Sequence, residues 1–259
     1  MQFIFYVFAF IIGLLIGSFL NCVIYRLEKE ESFLKGRSYC PFCKHQLSWQ
    51  DLFPVFSFLI LRGKCRYCKK PISWQYPLVE LATGFLFLLV AQHSFLNLLV
   101  TSYWLLVTSL LIIIFVFDLK HFIIPDKVIY AAILASGIWY LIAGIFLHLY
   151  SGQELLIFLY SAFFAALFFF IIVLISRGNW MGIGDIKLAF FMGLFLGFPK
   201  ITVALFLAFL IGAIIGVGLI ISRKRKFSSE IPFGPFLVTG TFLALFFGQN
   251  IISWYINLF

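Results

Sequence analysis

With 259 residues, 63% of them hydrophobic and only 11% charged, the chain has too little polar surface to cover a water-soluble globule of its size; a membrane protein is what remains. The formal charge of +9 would suit nucleic acid, but the basic residues follow the loops between apolar runs, so the expected partner is a lipid bilayer and no nucleic acid. Alternating apolar and polar residues are absent, which excludes a transmembrane barrel, and the 36 phenylalanines read as lipid-facing and interhelical packing.

In chain order, apolar runs at 3–20, 78–90, 98–117, 128–147, 155–175, 188–198, 201–221 and 233–255 predict an all-α polytopic membrane protein of about eight transmembrane helices. The first run has no basic residue before it and Arg26 after it, so it reads as a retained anchor. Alternate loops then collect every Lys and Arg of the 19 except Lys200, including the run Arg223 to Lys226; this places those loops in the cytoplasm and both termini outside. Glycines four apart (Gly13 and Gly17, Gly193 and Gly197, Gly212 and Gly216) predict close helix packing.

Three parts are expected: residues 1–25 as the first transmembrane helix, 26–76 as a small cytoplasmic zinc-knuckle (β-hairpin) insert, and 77–259 as the remaining helices. The insert holds Cys40-Pro-Phe-Cys43 and Cys65-Arg-Tyr-Cys68, and two such pairs can supply the four thiolates of a structural Zn2+ site. An internal repeat strengthens this reading: Cys40, Cys43, Lys44, Ser48, Trp49 and Gln50 recur 25 positions later as Cys65, Cys68, Lys69, Ser73, Trp74 and Gln75. A redox dithiol or disulfides compete with zinc; a reducing cytoplasm and two equivalent half-sites favour the metal. Cys22, beside the first span, reads as a packed free thiol.

Acidic residues are scarce, ten in all, so carboxylates at the ends of apolar runs stand out as functional candidates. Asp118 ends the third run and Asp185 opens the sixth, both on the cytoplasmic side. Asp185 lies in Gly182-Ile-Gly184-Asp185-Ile-Lys187, followed by too few apolar residues to cross unless the glycine segment dips into the bilayer, where Gly182 and Gly184 would permit close backbone approach. Pro125 should stop the helix that carries Asp118, Asp126 reads as the N-cap of the next span, and Lys187 reads as snorkelling to the interface.

Should Asp118 and Asp185 meet, they would share one proton and act as an aspartic-protease pair. Taken singly, Asp118 also reads as a helix-end charge and Asp185 as a partner of Lys187 or Arg177. A proton relay in a transporter is the competing functional class.

Together these segments resemble the type IV prepilin peptidases, aspartic enzymes with a Gly-x-Gly-Asp motif. The resemblance rests on Gly17-Ser-Phe-Leu-Asn21 with Tyr25-Arg26-Leu27, both cysteine pairs, Pro77-Leu-Val-Glu80-Leu-Ala-Thr-Gly84, Asp118 with Ile124-Pro125-Asp126, the Asp185 motif and Pro232-Phe-Gly-Pro235. It implies that Asp118 and Asp185 are the catalytic pair, supported by Gly182, Gly184, Lys187, Pro125 and Asp126. It further implies removal of a short basic leader from prepilins or pseudopilins at the inner face of the bacterial cytoplasmic membrane, a basicity that Glu28, Glu30, Glu31 and Asp51 could offset. N-methylation of the new terminus with S-adenosylmethionine is implied as well, with Arg37, Gly63 and Glu80 as candidates for the methyl-transfer site.

Overall fold

The computed structural model describes residues 2–32, 36–94, 97–146, 149–222 and 231–258. The basic run Arg223 to Lys226 and the end of the expected span 128–147 lie outside the described residues. The helices are α1 (Gln2–Glu28), α2 (Phe56–Ile60), α3 (Gln75–His93), α4 (Leu98–His121), α5 (Asp126–Leu141), α6 (Gly152–Ser176), α7 (Ile183–Leu196), α8 (Lys200–Ile221) and α9 (Gly234–Ile256). A 3-10 turn covers Trp49–Leu52, and a π turn covers Ile142–Phe146 after α5. Seven of the described helices are long and apolar enough to cross a membrane. The expected sixth span is α7, whose 14 residues reach about 21 Å, short of the ~30 Å hydrocarbon layer.

The chain divides into two compact units, residues 1–113 and 114–259. In the first, α1 packs along α3, and glycines set the distance. A Cβ on Gly13 would fall 2.7 Å from the Gly84 Cα, and one on Gly17 would fall 2.7 Å from the Glu80 Cα. Above this contact a polar layer joins the helices, with Asn21 Nδ2 donating to the Tyr76 carbonyl at 3.1 Å and Gln75 Nε2 donating to Asn21 Oδ1 at 3.3 Å. Helix α1 continues past residue 25, so Arg26 is helical and buried, and its guanidinium donates to the carbonyls of Ser32 and Gly36.

In the second unit α6 packs on α7 and α8 on α9. Gly193 lies against the backbone of Ser161 and Ala162, Gly197 against Phe158, and Gly212 against Phe236, whereas Gly216 faces open space. Helix α7 also meets α5, where the Tyr140 hydroxyl donates to the Leu194 carbonyl at 2.6 Å. From Phe191 to Leu196 every residue of α7 is buried, so this short helix is surrounded by protein and has no need to span lipid. By contrast, only 11% of the apolar window of α8 is buried, leaving an outer face suited to hydrocarbon.

The packing predicts a contrast between two glycines. Gly193→Ala would place a Cβ 2.6 Å from the Ala162 Cα, and that overpacking should cost about 1–3 kcal/mol. Gly216→Ala, with nothing within 4 Å, should stay within about 0.5 kcal/mol of the unsubstituted chain. Thermal unfolding of the two variants in lipid nanodiscs measures the difference.

Candidate functional site

Two centres emerge, one in each unit. In the first, the four cysteines form a single cluster, their Sγ atoms all within 4.8 Å of one another, with Cys40 and Cys68 Sγ 3.9 Å apart. A tetrahedral Zn–S4 centre with bonds near 2.3 Å requires sulfurs about 3.8 Å apart, so the set fits such an ion. Backbone geometry repeats with the sequence. The Cys40 N–H donates to the His45 carbonyl and the Cys65 N–H to Lys70, Leu47 donates to Ser38 and Ile72 to Gly63, and Lys44 and Lys69 both have φ of 58°. Each knuckle closes on one antiparallel bridge, Tyr39 with Gln46 and Lys64 with Pro71. No strand occurs among the described residues, because each loop turns back after one pair to present its sulfurs.

Cys40 and Cys68 do not ionise alike. Burial opposes the Cys40 thiolate, but N–H groups of Cys43 and Phe42 outweigh it and bring the thiol down to about 7. At Cys68 the Lys70 N–H favours the thiolate, yet burial and the neighbouring sulfurs push the thiol up to about 11. A dication at the centre would relieve that conflict. Asp51 joins the two knuckles: it accepts from the Ser48 backbone and hydroxyl, from Arg66 Nε at 2.7 Å and from the Tyr67 hydroxyl at 3.2 Å. The side chain is only 3% exposed, and the expectation that it offsets a basic leader is corrected, since its lone pairs are engaged inside the module.

The methyl-transfer candidates have separate neighbours. Arg37 is exposed, a Cβ on Gly63 would fall 3.1 Å from Phe58 Cζ, and Glu80 is buried and accepts the Val55 N–H at 2.7 Å. Among the described residues these contacts define no common pocket.

The second centre is built around the two aspartates, both buried, Asp118 at 4% exposure and Asp185 at 8%. Asp118 lies on the last turn of α4, which ends where Phe122 takes φ of 59° and donates its N–H to the Asp118 carbonyl. Gly234, at the start of α9, donates its N–H to the Asp118 carboxylate. A Cβ there would fall 2.5 Å from Asp118 Oδ2, so only glycine admits the acid. Asp185 is the third residue of α7, and its Oδ2 accepts from the Gly182 N–H at 3.1 Å, a half capping box. Gly182 is extended and Gly184 is already helical.

Two contacts draw the Asp118 segment to the start of α7. A Cβ on Gly184 would lie 3.1 Å from the Ile124 Cβ, and Lys187 Nζ donates to Asp126 Oδ1 at 2.6 Å. Through these contacts the turn that follows Asp118 meets the first turn of α7, which carries Asp185.

That arrangement corrects four expectations. Pro125, extended at ψ 117°, is the N-cap of α5, and Asp126 is its first helical residue; proline supplies the turn, which leaves the Asp126 carboxylate for Lys187. Lys187 is therefore paired across to α5 instead of reaching alone for the interface, and Asp185 takes its contact from the Gly182 backbone and not from Lys187. Gly184 uses its missing side chain to seat Ile124, so its close approach is internal. Sequence reasoning named neither Ile124 nor Gly234 as a site residue, although both lie in segments it had singled out.

Comparison with known proteins finds matches to both units. Residues 11–95 match the model of the bacterial peptidase A24 N-terminal domain, and residues 105–217 match that of the type IV leader peptidase family. A protein named prepilin leader peptidase/N-methyltransferase from Bacillus subtilis is 33% identical over 96% of this chain and 97% of its own length. Proteins of the same name are 31% identical in Aeromonas salmonicida (96% and 93% covered) and 32% identical in Pseudomonas aeruginosa (95% and 92% covered). No solved structure matches the chain.

The cysteine centre yields a metal prediction. Protein prepared without chelator should carry about one zinc per chain, the content of a closed four-thiolate site, and Cys65→Ser should lower it. Asp51→Asn keeps every ligand but weakens the joint between knuckles, and should release zinc to a competing chelator at about tenfold lower chelator concentration or less. Elemental analysis and a chromogenic chelator titration read both.

Proposed function

Because the chain belongs to the type IV leader peptidase family, we propose that it is a membrane-embedded aspartic endopeptidase that uses Asp118 and Asp185 to remove the basic leader of prepilins or pseudopilins. What supports this reading is that both acids are buried in the same unit and each accepts a backbone N–H from a glycine, Asp118 from Gly234 and Asp185 from Gly182. Held by one N–H, each carboxyl keeps lone pairs for chemistry. One aspartate is ionised and removes a proton from a water as that water attacks the scissile carbonyl carbon; the other is protonated and donates to the carbonyl oxygen. Collapse of the tetrahedral intermediate breaks the C–N bond, and the proton taken from water leaves on the new amine.

The same reading makes the positively charged loops cytoplasmic and places the enzyme in a bacterial cytoplasmic membrane. A prepilin has a hydrophilic leader before an apolar helix, so its junction would arrive at the membrane edge, the depth at which helix ends carry Asp118 and Asp185. The ion pair of Lys187 with Asp126 and the contact of Ile124 with Gly184 hold the two aspartate-bearing segments in register. Asp126 is 63% exposed, so this pair is worth about 0–1 kcal/mol in stability, and its role is positional.

Methylation of the new N-terminus, with S-adenosylmethionine as donor, goes with the cysteine-bearing unit. Cys40, Cys43, Cys65 and Cys68 would hold the zinc, which would supply folding energy to that module. Arg37 is exposed, while Gly63 lies against Phe58 and Glu80 accepts the Val55 N–H, so their contacts support no step of methyl transfer.

Asp118→Asn and Asp185→Asn should each lower leader cleavage by about a hundredfold or more, while zinc content and methylation of an already mature substrate persist. Co-expression with a prepilin and mass measurement of its N-terminus separates leader loss from methyl gain. Cleavage that survives in both variants overturns the dyad.

A further inference from the structure

Between the two knuckles runs an apolar segment that the metal site does not use. It comprises Leu52-Phe-Pro-Val-Phe-Ser-Phe-Leu-Ile-Leu61 and folds as the end of the 3-10 turn, a tight bend and the one-turn helix α2. On α2 the residues Phe56, Leu59 and Ile60, at i, i+3 and i+4, share a face and are 57%, 63% and 76% exposed. Phe53 extends that face, its ring 5.9 Å from Phe56. Behind them Phe58 is buried against Trp74, ring centroids 5.0 Å apart. The segment is thus fixed to the zinc module by one aromatic ring and presents the others outward.

What covers that face follows from its height along the spans. The bend is bonded to the two membrane helices within their apolar lengths: the buried Glu80 of α3 accepts the Val55 N–H at 2.7 Å, and Ser18 Oγ of α1 donates to the Leu52 carbonyl at 3.5 Å. Roughly 15 Å of helix separates Ser18 from the end of α1 at Glu28, and the polar layer of Asn21, Gln75 and Tyr76 lies between. The bend therefore reaches the hydrocarbon edge, where a free backbone N–H is costly and a protein acceptor is required. Val55 adopts φ of 61°, unusual for a β-branched residue, and its N–H has the acceptor it needs in Glu80. Immediately after α2 the chain turns basic, with Arg62 and Lys64 both exposed, which complements anionic headgroups. Trp49 and Trp74, 73% and 70% exposed, suit the amphipathic boundary.

We propose that Leu52 to Leu61 is an interfacial wedge that seats the zinc module in one leaflet, with Phe53, Phe56, Leu59 and Ile60 in the acyl boundary and Arg62 and Lys64 at the phosphates of anionic phospholipid. The module is then a monotopic element laid on the bilayer, in addition to being tethered by α1 and α3.

Depth measurement on the full-length, zinc-loaded protein in nanodiscs of phosphatidylcholine and phosphatidylglycerol tests this. A nitroxide attached through a genetically encoded ketone amino acid at position 56, 60 or 62 reports collisions with oxygen, which partitions into lipid, and with a water-soluble nickel chelate. At 56 and 60 oxygen collisions should dominate, with a depth of about 5–10 Å, the range of interfacial helices; at 62 the nickel chelate should dominate. Nickel access at 56 and 60 equal to that at 62 overturns the proposal. So does shielding from both agents, which would mean that a second copy or an apolar substrate helix covers the face. Lipid bearing a diazirine on its acyl chain gives a second reading on the unsubstituted protein: adducts within 52–61 are expected, and adducts confined to the long helices overturn the wedge. Neither readout depends on peptide cleavage.

Discussion

A carboxylate cannot sit at membrane depth without a donor, and a backbone N–H is a donor this chain uses repeatedly. Asp118 is served by Gly234, Asp185 by Gly182 and Glu80 by Val55. Each donor lies where a regular helix has not yet begun, at the start of α9, before α7 and in the bend before α2. There an N–H has no carbonyl four residues earlier to receive it. Orphan donors and costly acceptors therefore cancel each other, and among the described residues no lysine or arginine is paired with Asp118 or Asp185. For the proposed dyad this matters, since an adjacent lysine or arginine would hold both carboxylates ionised and leave neither able to donate a proton.

Glycine does two different jobs in reaching that arrangement. Along α1, α7 and α8 it lets helices approach until backbone meets backbone or aromatic side chain, as at Gly13, Gly193 and Gly212; this is packing that any membrane bundle can exploit. At Gly234 the reason is chemical, because the volume a Cβ would take is the place of Asp118 Oδ2. Gly184 belongs to neither class fully: it seats Ile124, and so transmits the position of the α4–α5 turn to the first turn of α7.

Much of this was legible in the sequence, for physical reasons that can be named. The duplicated Cys-x-x-Cys pattern and its 25-residue offset are local, and the hydrogen bonds that close each knuckle follow at the same offset. Apolar runs announced the long helices because lipid imposes length and composition together. Asp118 and Asp185 stood out because charge is rare at the ends of such runs. The contacts of Asp126 and Lys187 were not legible, since both side chains are defined by a partner 61 positions away. Gly234 was hidden for the same reason: Pro-Phe-Gly-Pro predicts a helix start, but nothing within it says which acid its N–H will meet.

The 26–76 insert shows where a reading by polarity alone falls short. Its charged residues and cysteines mark it as an aqueous domain, yet Leu52 to Leu61 is as apolar as the spans and is too short to be one of them. A run of that size must be buried in protein or laid against lipid. Only Pro54 and Phe58 of it are buried, so the first choice accounts for two residues and the rest require a second solvent. The bend is anchored to α1 by Ser18 and to α3 by the buried Glu80, and the same hydrogen bond that satisfies this desolvated carboxylate holds the run at the level where lipid can accept it.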